Sequence, residues 1–188
     1  AILAIESSPE SLSSFPYLNF LLGELKLSSM NPNADDYFQV FTKSFKGSSY
    51  IKSSYQKMAW HALLVLDDES QYREFMKQVG SVGTTMLDED KSAQKEFESK
   101  SIPNKVLLKA RLQFDGGYFD DALKTLVRSD TKGQSIDEQL EFTYRLARIH
   151  DELGNEKDAV SYYQMTMKNA VDSKRYFGAN ASLKLGLL

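Results

Sequence analysis

Cysteine is absent from the 188 residues. That excludes disulfide staples, thiolate zinc sites, iron–sulfur clusters and a cysteine nucleophile. It fits a reducing or an oxidising compartment equally well. Glycine (10) and proline (4) are scarce, which argues against a sheet-rich fold built on tight turns. No apolar run reaches the ~18 residues that a membrane-spanning helix needs. Charge of one sign is lacking too. The net charge is −3, with 8 Lys/Arg against 12 Asp/Glu over residues 1–94 and 15 against 14 over residues 95–188. A nucleic-acid binder shows a basic stripe, because phosphate neutralisation dominates its affinity. None is visible, so no nucleic-acid partner is expected. No phosphate-cradling glycine loop, His-Glu-x-x-His pair or calcium loop is present, so neither a cofactor nor a metal is expected. No basic-then-apolar stretch opens the given sequence, and no compartment is read from that.

What is there is helical periodicity. Tyr17 to Ser29 places Leu18, Leu21, Leu22 and Leu25 on one side, a period near 3.6. Asn31-Pro32 then reads as cap and first turn of a second helix, with Tyr37, Phe38, Phe41 and Phe45 as its stripe. A third helix spans Tyr50 to Leu66. Asp67-Asp68-Glu69 supplies acidic caps for a fourth that runs to Val79. Residues 80–103 read as a polar insert. Its Asp88–Ser99 stretch is a helix whose apolar contacts rest on Ala93 and Phe97, a stripe too thin to bury much. Further helices are predicted over Asn104–Phe114, Tyr118–Val127, Ser135–Leu153 and Glu156–Ala170. Ser135 and Glu138 form a capping box, and Asp172-Ser173 caps a last helix, Tyr176 to Leu188. No segment alternates as a strand would, so the expected class is all-α.

Self-similarity carries the most information. Ala110-Arg111 is followed by Gly117 and Ala122, and Ala147-Arg148 by Gly154 and Ala159. In each, the glycine stands seven residues after the first alanine and the second alanine five after the glycine. The offset is 37 residues. This pattern resembles the tetratricopeptide repeat, a unit of about 34 residues in two antiparallel helices. The resemblance implies a right-handed α-solenoid of stacked antiparallel helix pairs. Small residues would let the paired helices approach closely, and the glycine would end the first helix left-handed. The match covers residues 104–170 best. Helix pairs over 17–79 are looser: Leu22-Gly23 carries the first-helix signature without an inter-helix glycine, and Asp67 or Asp68 stands where the next would be. Residues 173–188 read as a further repeat cut mid-course. The expectation is therefore a piece of a longer array, with Leu183, Leu185, Leu187 and Leu188 partly uncovered and able to mediate self-association.

The histidines, His61 and His150, are isolated in sequence and read as packed side chains. The acidic pairs fall at helix starts, where the helix dipole accounts for them. No catalytic residue emerges. One constellation points to binding. In tetratricopeptide families the first helix of each pair lines a concave groove. Transferred to this chain, that face carries Leu107, Arg111, Phe114 and Asp115, then Tyr144, Arg148, Asp151 and Glu152. Two guanidinium forks stacked one repeat apart would suit a carboxylate or phosphate of a peptide. Equally, Arg111–Asp115 and Arg148–Glu152 are i,i+4 pairs of the kind that brace a solvated helix face. The family's peptide-carboxylate clamp of Lys and Asn is missing. The function expected is a non-enzymatic scaffold for a protein or peptide partner. The alternatives are an accessory or catalytic helical domain of a larger enzyme and a purely structural segment of an assembly.

Overall fold

The computed structural model describes residues 9–188 other than 131 and 172. Among the described residues the chain forms eleven α-helices and no strand, which makes it all-α. In order they are α1 (Pro9–Ser14), α2 (Tyr17–Ser28), α3 (Ala34–Ser44), α4 (Ile51–Leu64), α5 (Glu69–Ser81), α6 (Asp88–Ser99), α7 (Lys105–Asp115), α8 (Phe119–Val127), α9 (Ile136–Glu152), α10 (Glu156–Asn169) and α11 (Phe177–Leu185). Among the described residues no helix is long and apolar enough to cross a membrane. The chain divides into two compact units, the first ending at Pro103 and the second starting at Asn104.

In the first unit each helix packs on the next, and α4 also touches α2 and α6. The inner face of α2 differs from the leucine stripe expected. Phe20, Leu22, Gly23 and Leu27 are buried, whereas Leu18, Leu21 and Leu25 are only half-buried. Aromatic packing sets that face. The Phe20 ring lies 5.8 Å from Phe38, 5.6 Å from Phe41 and 5.0 Å from Tyr50. A Cβ at Gly23 would fall 2.8 Å from the Phe38 ring, so the missing side chain is what lets α3 close on α2. Seven residues after Gly23, Met30 adopts φ 57°, and Asn31 N–H reaches back to the Lys26 carbonyl at 2.9 Å. The turn that lacked its glycine is therefore still left-handed. Asn31 does not cap α3 as expected. It closes a turn, its Oδ1 accepting from Asn33 N–H at 2.9 Å, and the helix starts at Ala34.

The predicted polar insert supplies α6, which is attached mainly by carboxylates. Asp90 is fully buried and accepts from Tyr50 N–H at 2.7 Å and Ser53 N–H at 3.0 Å. The N-terminus of α4, which has no capping side chain of its own, is thus capped by a residue 40 positions away. Ala93, also fully buried, supplies the close apolar contact. Lys52 is buried as well, with its ammonium donating to the Val79 carbonyl in the last turn of α5.

In the second unit α7, α9 and α11 contact one another in succession, with α8 and α10 packed between them in chain order. Both inter-helix glycines are left-handed, Gly117 at φ 82° and Gly154 at φ 72°. At each, the next residue donates to the carbonyl five positions back, Tyr118 to Gln113 and Asn155 to His150, both at 2.8 Å. Two turns 37 residues apart therefore close by the same Schellman hydrogen bonds. Ala110, Ala122, Ala147 and Ala159 are all fully buried. Tyr163 bonds back to Asp151 and Thr166 to Thr143, so α10 runs antiparallel to α9. Ser135 and Glu138 form the predicted capping box. Asn104 caps α7 and also donates to Glu138 at 2.8 Å, tying the starts of α7 and α9 together. That amide, and then Ser135, holds the Glu138 carboxyl below the usual carboxylate range. The last helix is shorter than expected and ends at Leu185. Its expected cap fails at Ser173, which instead accepts from Arg175 N–H in a turn; Asp172 lies outside the described residues. Leu183, Leu187 and Leu188 are exposed, while Leu185 is partly buried against the Tyr144 cluster.

Candidate functional site

The expected groove residues converge in part. Tyr144 and Arg148 are one turn apart on α9, so both point to the same side. There the Arg148 guanidinium lies 4.2 Å from the centre of the Phe114 ring of α7 and 6.0 Å from that of Tyr144. A cation held over two rings is stabilised by about 0.5–2 kcal/mol, depending on desolvation. Arg148 thus takes an aromatic partner rather than Glu152, which is exposed, as is Asp115. Asp151 serves another contact: it accepts from the Tyr163 hydroxyl at 3.0 Å. Burial, followed by that bond, pushes the Tyr163 phenol above its ordinary range. Leu107 is a core residue, packed with Ala110, Leu126 and Ile149.

Arg111 is half-buried, and its charge reaches Tyr176, where it opposes the rise that burial imposes on that phenol. Tyr176 stands edge-on to Tyr144 at 6.2 Å, and Phe177 lies 5.5 Å from Tyr144. Arg145, nearly buried, pairs with Glu141 one turn earlier. Arg148 therefore borders the aromatic cluster directly, whereas Arg111 acts on it through the field of its charge at Tyr176. Sequence reasoning missed Arg145, Tyr176 and Phe177. The adjacent aromatics Tyr176-Phe177 at the start of the last helix were the available signal.

The first unit holds features that the sequence did not advertise. Trp60 is buried, and its indole N–H donates to Glu96 at 2.9 Å. Tyr72 hydroxyl and Gln56 amide donate to the same carboxylate at 2.9 and 2.7 Å. A pocket of about 230 Å³ opens beside this network, lined by residues of α5, α6 and the segment after it. His61 is buried against the Pro32 carbonyl at 2.9 Å and Asp35 at 3.6 Å. His150 stacks on Tyr162 at 5.5 Å. Among the described residues no three His, Asp or Glu side chains converge as a metal would require. No protein-family model, curated protein or solved structure matches this chain.

Proposed function

We propose that the chain is a non-enzymatic protein-interaction module, a solenoid of tetratricopeptide-like helix pairs whose second unit takes an acidic peptide on the Arg148 face. The observation that carries this reading is the guanidinium stacked on Phe114 beside Tyr144. Stacking uses the face of the planar group and leaves its edge donors for a carboxylate. The repeated Schellman turns and the four buried alanines support the repeat architecture. The test is to select peptides from a displayed random library on the 188-residue chain and measure their affinity for variants. Acidic sequences are expected, with Arg148→Ala weakening them at least about tenfold. Arg148→Lys should recover little, because an ammonium lacks the fork. Peptides of no charge preference, or binding indifferent to Arg148, would leave the arginine a purely structural brace.

The exposed Leu183, Leu187 and Leu188 favour a second contact, self-association through the same patch on two copies. Light scattering across concentration checks it. Leu183→Ser with Leu187→Ser should lower any concentration-dependent mass, and a monomer at all concentrations would remove the idea.

A further inference from the structure

We propose that the pocket between α5 and α6 binds a small hydrophobic anion, an aromatic ring or short alkyl chain carrying one carboxylate. Its walls are apolar. Tyr72 and Met76 come from α5, Phe97 from α6 and Ile102 from the segment that follows. Gly80 shapes this wall: a Cβ there would fall 2.4 Å from the Phe97 ring, so the ring stands directly against the α5 backbone. An opening lined this way favours an apolar body over water. At about 230 Å³ it lies below the ~300–1,000 Å³ of pockets for drug-sized ligands, which points to a small molecule.

The charges at the opening select the sign. Glu96 is the one acidic lining residue, and both of its oxygens already accept bonds from Trp60, Tyr72 and Gln56. It therefore has little left to offer a ligand cation. Three exposed cations border the pocket: Arg73, Lys77 and Lys100. Glu74 holds Lys77 at 2.6 Å. Arg73 and Lys100 remain, one from each helix flank, to meet a carboxylate whose apolar part lies between Met76 and Phe97.

The experiment titrates three probes of one shape, phenylbutyrate, phenylbutanol and phenylbutylamine, into the methyl-labelled 188-residue chain. Resonances of Met76 and Ile102 report the pocket, and Met165 of the second unit serves as control. Saturable shifts are expected at Met76 and Ile102 and not at Met165. The carboxylate should bind about fivefold more tightly than the alcohol, and the amine most weakly. Arg73→Ala with Lys100→Ala should erase the carboxylate's advantage while leaving the alcohol unchanged. Absence of a saturable shift at the two pocket methyls overturns the proposal. So does equal affinity for all three probes, or a carboxylate preference that survives the double substitution.

Discussion

Gly117 and Gly154 offer an unusually clean measure of backbone conformation. Each is left-handed, and no heavy atom lies within 4 Å of where a Cβ would stand. Gly154→Ala therefore adds strain without a clash and is expected to cost about 1 kcal/mol. Urea unfolding should show a lower midpoint at unchanged slope. Buried phenols give a second residue-scale prediction. Burial, and then the Glu96 charge and hydrogen bond, raises the Tyr72 phenol above its ordinary value of 10.0. Tyr163 is raised by burial and Asp151. A raised pKa means that the folded state holds the proton longer than the unfolded chain. That stability is fully present below about pH 10 and is lost as pH climbs above it. Alkaline unfolding should begin there, and Tyr72→Phe and Tyr163→Phe should each flatten the fall. The glycines were legible because a left-handed turn favours glycine, although Met30 takes the same conformation without it. Asp90 and Glu96 were not. Asp90 stands in an acidic run at a helix start that the dipole already explains, Glu96 stands in the polar body of the same helix, and only the folded chain shows which donors reach either from elsewhere.

Among the elements, α6 departs furthest from what its composition suggests. Its apolar stripe is thin, as the sequence shows, yet Asp90 and Glu96 fasten it to α4 and α5 through five donors: two backbone N–H groups, an amide, an indole and a phenol. Hydrogen bonds to a charged acceptor are worth more than neutral ones, and a buried donor left unpaired costs its full desolvation. Asp90→Ala removes the cap of α4 and both of its bonds, so a loss of about 2 kcal/mol is expected. Asp90→Asn keeps a single acceptor oxygen and should lose less. Hydrogen exchange is the direct readout: the Tyr50 and Ser53 amides should exchange faster in Asp90→Ala, with little change in the amides of α9. From Tyr17 onward, helix existence and approximate bounds were readable from the 3.6-residue period, whereas the short α1, Pro9–Ser14, carries no such stripe and was not expected. The faces were harder to read. On α2 a run of leucines suggested one stripe, and Phe20 packing on Phe38 and Phe41 selected another.

For the whole molecule, the sequence repeat and the division of the chain point to one expectation. The pattern was strongest over 104–170, and the second unit begins at Asn104, where a capped helix starts after Pro103. Each unit has a core of its own: Phe20, Phe38, Met58 and Leu63 in the first, and the clusters around Leu126 and Tyr163 in the second. A unit with a hydrophobic core of its own is expected to fold alone. Residues 9–103 and 104–188, prepared separately, should each show a helical circular dichroism spectrum and a cooperative thermal transition. The first should keep Trp60 fluorescence in its buried form, because its partners Gln56, Tyr72 and Glu96 all lie within that unit. The second, being smaller, should melt at the lower temperature, since small domains bury a smaller share of their surface. Should 104–188 remain a coil alone, the second unit is not an autonomous fold. The matching turns at Gly117 and Gly154 would then be a local sequence habit rather than the framework of an autonomous fold.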